Sequence, residues 1–203
     1  MTAGTTSTST RMTAAQRREQ LLDVTTQIVC DQSFHAVSIE AVARGAGISR
    51  PIVYEHFGDL PGLLTAVVER EMGRALAQVS ETELTDLTKG SAADLMVESL
   101  ASYLGAVRAH PTTWRLVLMP PQGAPALLRK SIEQGRAAVL QRMAQAVGPA
   151  IATHPGSIDA ELTARLLSAM ADEYARLVLT DPARFPPERL LTHARWLVER
   201  LAL

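Results

Sequence analysis

Aromatic residues are scarce in this chain: three phenylalanines, three tyrosines and two tryptophans among 203 residues. Strand-like alternation of apolar and polar positions is absent. So is βαβ spacing with a glycine-rich phosphate loop, which leaves no basis for a nucleotide-binding α/β fold. The single cysteine, Cys30, has no partner for an internal disulfide, and its apolar neighbours Ile28 and Val29 predict a buried thiol. No apolar run reaches membrane-spanning length, and the N-terminus lacks the apolar core of a secretory leader. The expectation is a soluble cytoplasmic protein with no membrane contact. The five histidines (35, 56, 110, 154 and 193) show no metal-ligand spacing. No serine or cysteine sits in a strained nucleophile elbow. Glu69 with Arg70 and Arg74 reads as a helix-surface cluster. Neither catalysis nor a cofactor nor a metal is expected. Strong charge is missing too, because the formal net charge is −1.

Alanine and leucine are abundant, and they suit close helix–helix packing. Helical periodicity predicts an all-α chain of about nine helices. Four fall near 13–31, 38–45, 49–56 and 60–80. A fifth near 92–109 follows Gly90-Ser91 and stops at His110-Pro111. A short sixth around Trp114 to Leu118 is closed by Pro120-Pro121. The seventh, near 124–147, ends at about Gly148-Pro149. Ser157 is read as the cap of an eighth, near 158–180, which ends at Asp181-Pro182. Pro186-Pro187 start the ninth. Residues 1–12, rich in Thr, Ser and Gly, are read as a disordered tail.

The densest local information lies in residues 38–57. Ser38 can cap a short helix, with Val37 and Val42 at the staple positions. Gly45 and Gly47 bracket Ala46 and allow a turn through positive φ. Ile48, Ser49 and Val53 repeat the staple–cap–staple pattern, and Pro51 sits in the first turn, where its missing N–H costs nothing. Two capped helices across a glycine turn make a helix-turn-helix, whose second helix can enter the major groove of DNA. A longer helix precedes the motif. Thr13 and Gln16 form its capping box, and Leu21, Leu22, Thr25, Ile28 and Val29 keep one face apolar. Another follows, capped by Asp59, with Leu60, Leu63, Leu64, Val67, Val68 and Met72 at helical spacing.

This arrangement resembles the tetracycline-repressor (TetR) family of bacterial transcription regulators. The resemblance is carried by the amphipathic first helix, by Ala43, Ala46-Gly47-Ile48-Ser49 and Val53-Tyr54-Glu55-His56-Phe57, and by the leucine-rich fourth helix. It covers about residues 13–72; beyond that it is architectural. It implies a helix-turn-helix DNA-binding domain at 13–60 and a ligand-binding and dimerisation domain at 61–203. The implied function is ligand-responsive regulation: most simply, repression by a homodimer on a palindromic double-stranded operator, released by a small lipophilic effector. The alternative is a helical small-molecule-binding or protein-interaction module with weak or lost DNA binding. Residues 1–60 hold five arginines and six acids, so phosphate attraction is modest.

The resemblance implies DNA contacts at Ser49, Arg50, Pro51, Ile52, Tyr54 and His56. Arg50 can fork onto guanine, and Pro51 and Ile52 can press on sugar or thymine methyl groups. Tyr54 and His56 can hold phosphates. Tyr54 could instead pack in the core against Phe57, and His56 could be merely solvated. Ser38 at a helix N-terminus, with Arg17 and Arg44, completes the DNA set; Arg11 and Arg18 cluster near Arg17. Ala43, Ile48, Val53 and Phe57 are assigned to the core. Two departures from the family pattern stand out: Gly58-Asp59-Leu60-Pro61 lacks a basic residue, and Glu40 occupies a position where relatives place a basic or neutral one. The effector pocket is expected among helices four to eight, with Tyr103, Trp114, Met119, Met143, Met170 and Tyr174 as its wall. Arg108, Arg115 and His110 are possible anion partners. The expected dimer interface is Leu162, Leu166 and Leu177 of the eighth helix with Leu190, Ala194, Leu197, Val198 and Leu201 of the ninth.

Overall fold

Thr13 opens the first helix, α1 (Ala14–Asp31), through a complete capping box. Its hydroxyl accepts from Gln16 N at 3.2 Å, and Gln16 Oε1 accepts from Thr13 N at 2.8 Å. The computed structural model describes residues 12–81, 92–151 and 159–200. The Ser- and Thr-rich start of the chain, Arg11, Gly90, Ser91, Ser157 and Leu201 lie outside the described residues. The chain divides into two compact units, 1–67 and 68–203.

In the first unit, a single 3-10 turn (Phe34–Ala36) leads into α2 (Ile39–Ala46), α3 (Arg50–Phe57) and the start of α4 (Leu60–Glu81). Leu21, Leu22 and Val29 of α1, Val42 and Ala43 of α2 and Val53 of α3 are buried, with α1 packed on α2 and α2 on α3. Each buried leucine or valine contributes about 1.5–3 kcal/mol by leaving water. Thr25 and Thr26 are buried as well, each returning its hydroxyl to a carbonyl one turn back. Ile48 and Phe57 are half-buried rather than fully enclosed, and so is Cys30.

The second unit holds the rest of α4 with α5 (Ala92–Ala109), α6 (Pro111–Leu118), α7 (Ala126–Ile151), α8 (Ala160–Thr180) and α9 (Pro187–Arg200). Among the described residues there is no strand. α7 packs on α8, and α5 packs on both α8 and α9. Leu104, Val107, Trp114, Ala175, Val178 and Leu190 form the centre of this core. His110-Pro111 and Pro120 bound α6 as their backbone chemistry requires. Two expectations change. α7 continues through Gly148-Pro149 to Ile151, because one proline removes one ladder bond without unwinding the helix it sits in. The cap of α8 is Asp159, whose Oδ1 accepts from Glu161 N and Leu162 N, two residues after the predicted Ser157. Among the described residues, no helix is long and apolar enough to cross a membrane, and no cluster of His, Cys, Asp or Glu is arranged to hold a metal.

Candidate DNA interface and effector cavity

The helix-turn-helix is set by local chemistry. Ser38 Oγ accepts from Ala41 N at 3.1 Å and starts α2. Gly47, at φ +66°, ends it, with Gly47 N donating to Arg44 O and Ile48 N to Ala43 O. That pair of bonds is a Schellman closure, and an L-side chain at Gly47 would be strained. Gly45 has a different role from the one expected. It is helical, and a Cβ there would stand 2.8 Å from Val24 Cγ1, so its bareness lets α2 approach α1. Asp59 caps α4 by accepting from Gly62 N at 2.7 Å.

α3 buries only Val53. Ser49 stands at the cap position, but its hydroxyl makes no cap bond. Arg50, Pro51 and Glu55 are exposed, and Tyr54 is 50 % exposed. Residues 50, 51, 54 and 55 lie one turn apart, so they share a face. Tyr54 is therefore a surface residue, not the core aromatic of the alternative reading. Ile52 and His56 are half-buried beside that face. Arg44 and Ser38 are exposed on α2. The α1 arginines are partly engaged within the unit. Arg17 donates to Gln20 Oε1 at 2.5 Å. Arg18 donates to His56 O at 3.1 Å and lies 4.5 Å over the Phe57 ring, so it ties α1 to the end of α3. Glu40 is exposed in the first turn of α2.

The second unit encloses a cavity of about 630 Å³. Of the expected wall residues, Tyr103, Trp114, Met143 and Met170 line it. Met119 and Tyr174 do not. Met119 packs against the core cluster, and Tyr174 is buried within that cluster, its hydroxyl 2.5 Å from His193 Nδ1. Arg108, Arg115 and His110 are exposed and do not line it either; Arg115 instead donates to Leu179 O at 3.3 Å. Trp114 is held by two partners: Nε1 donates to Gln78 Oε1 at 2.8 Å, and its ring meets Tyr103 edge-on at 5.1 Å. Sequence reasoning missed the polar corner of the cavity. Asp172 of α8 lies 3.4 Å from Arg136 of α7, and Tyr103 donates its hydroxyl to Asp172 Oδ1 at 3.5 Å. Burial raises the Asp172 pKa, against the lowering effect of Arg136 and Arg176. Burial, then the Asp172 charge, raises that of Tyr103.

The faces of α8 and α9 separate into two kinds. Leu190, Ala194 and Val198 are buried within their own chain, Val198 to 2 % exposure, and so are not open to a partner as expected. α9 packs on α5, where Leu190 and Ala194 join the core and Ala194 and Val198 line the cavity. Leu177 is half-buried against the same core, and Leu197 is half-buried. Leu162 and Leu166 are 58 % and 73 % exposed, and Trp196 is 53 % exposed. These large apolar side chains are uncovered, which the expected set named only for Leu162 and Leu166.

Comparison with known proteins follows the same division. Residues 21–67 match the family of bacterial regulatory proteins of the tetR type. The HTH-type transcriptional activator FasR of Mycolicibacterium smegmatis is 31 % identical over 71 residues, covering 35 % of this chain. The match spans 32 % of FasR, about a third of that relative's length. A TetR-like transcriptional regulator from Rhodococcus sp. RHA1 shares the fold with a TM-score of 0.75 at 23 % identity, over 94 % of this chain and 97 % of its own. The transcriptional regulator FadR from Bacillus subtilis, solved in complex with stearoyl-CoA, shares the fold with a TM-score of 0.66 at 14 % identity, over 89 % and 96 %. The capped helix-turn-helix thus lies inside residues that belong to the tetR family of bacterial regulatory proteins, and the chain as a whole shares the fold of a TetR-like regulator.

Proposed function

We propose that this chain is a transcriptional regulator that binds a palindromic DNA operator as a homodimer, represses from it, and is released by a small lipophilic effector. The observation that carries the reading is the uncovered face of α3, with Ser49, Arg50, Pro51 and Tyr54 on a helix that buries only Val53. Arg50 has the fork geometry for guanine O6 and N7, and Tyr54 has a hydroxyl for phosphate. Ser38, Arg44, Arg17, Ile52 and His56 would flank these contacts. Two copies are needed because one helix reads few bases, and paired heads must sit about 34 Å apart to meet successive grooves. The uncovered Leu162, Leu166 and Trp196 support self-association through α8 and α9.

The mostly apolar cavity supports a lipophilic effector, and the stearoyl-CoA complex of the FadR neighbour is consistent with that class. α4 contributes residues to both units, so the effector has a covalent route to the reading head. It can act only by binding one state better than the other. The test is selection from random duplex DNA with the wild type and Arg50→Ala. The wild type should enrich an inverted repeat. The variant should lose about 1–3 kcal/mol and relax preference at one position per half-site. An unchanged preference in the variant would remove Arg50 from the reading role.

A further inference from the structure

The cavity wall is mostly apolar; its polar side chains are Ser99 of α5, Arg136, Arg142 and Gln145 of α7, and Ser168 and Asp172 of α8. Of these, Asp172 and Arg136 stand 3.4 Å apart, and Tyr103 of α5 aims its hydroxyl at the same carboxylate from 3.5 Å. The other contact of Asp172, to Arg176, is 3.8 Å. None is the close bond of about 2.7–2.9 Å that a carboxylate makes with a fully engaged cation. An ionised carboxylate offers about four acceptor sites, so Asp172 retains capacity on its cavity side. Arg136 is half-exposed, with guanidinium donors beyond the one that faces Asp172. The corner therefore presents an acceptor and a donor side by side, with their charges opposed.

We propose that Asp172 and Arg136 select a neutral lipophilic effector whose hydroxyl donates to Asp172 and accepts from Arg136. This rests on the reading of the cavity as the effector site. A ligand carboxylate placed there would meet the like charge of Asp172, and an alkylammonium would meet Arg136; discrimination comes from these repulsions as much as from the new bonds. A hydroxyl meets neither penalty and satisfies both partners with one atom. Trp114, Met143 and Met170 then cover the apolar body.

Decanol, decanoate and decylammonium share one tail and differ only in the head. Titration calorimetry of each against the full chain, near neutral pH, tests the ranking. Decanol should bind about tenfold more tightly than either charged analogue. In Asp172→Asn, decanoate should gain about tenfold on decanol, because the like charge is gone and Arg136 is released. In Arg136→Gln, decylammonium should make the corresponding gain. The wild-type ranking stands even if a variant fails to fold. Decanoate or decylammonium binding as tightly as decanol in the wild type would overturn the head-group assignment while leaving the cavity as effector site. Binding by none of the three would overturn both.

Discussion

Thr113 of α6 donates its hydroxyl to Glu71 Oε2 of α4 at 2.5 Å, and the carboxylate is only 1 % exposed. Arg70 reaches the other oxygen at 2.8 and 2.9 Å, and Arg74 reaches it at 3.2 Å. Together with the Trp114–Gln78 bond next in sequence, this fastens α6 to α4 inside the second unit. A buried carboxylate is tolerable only when its lone pairs are met. Thr113→Val keeps the shape and removes one donor, so it should lower stability by about 1–3 kcal/mol in urea unfolding. A neutral result would mean that solvent or another donor satisfies Glu71.

Two glycines of α4 should respond to alanine in opposite directions. A Cβ at Gly62 would stand 2.3 Å from Phe57 O, a backbone atom that cannot swing away. Gly62→Ala should therefore destabilise the first unit by about 1–3 kcal/mol or more and weaken DNA binding. Gly73 has nothing within 4 Å of its virtual Cβ. Gly73→Ala should stabilise the helix by about 0.5–1 kcal/mol. Circular-dichroism melts of the two variants check the pair; a shared sign would refute the steric account.

Assembly separates two leucine-rich faces. Leu166→Glu places charge on a side chain that is 73 % exposed in the single chain, so the fold should survive and the proposed dimer should dissociate. Val198→Asp buries an unpaired charge in its own core, at a cost of several kcal/mol, and should unfold the protein. Light scattering with circular dichroism reads both. A folded, still dimeric Leu166→Glu variant would move the interface elsewhere.

The contrast between those faces shows where sequence reading stops. The helix-turn-helix was legible nearly to the residue, because Ser38, Gly47, Pro51 and Asp59 act on backbone groups within four positions of themselves. Helix ends at His110-Pro111 and Asp181-Pro182 were legible for the same reason. The role of Gly45 was not, since its neighbour Val24 lies on another helix. Apolar periodicity marked α8 and α9 as amphipathic but could not say which stripe meets its own chain and which stays bare. Tyr174 illustrates the limit for the cavity. Its chemistry suits a pocket wall, yet it pairs with His193 instead. Asp172 and Arg136 carry no local sequence signal; only the packing of α7 on α8 brings them together beside the cavity.

The central claim is sequence-specific DNA binding through α3. Its most direct measurement is the affinity of the full chain for the duplex enriched by selection, against a scrambled duplex, over a range of salt concentrations. The enriched duplex should be bound at least about a thousandfold more tightly, and log affinity should fall linearly with log salt as phosphate counterions are released. Equal affinity for the two duplexes, or binding indifferent to salt, would contradict the account and leave a helical ligand-binding module without an operator.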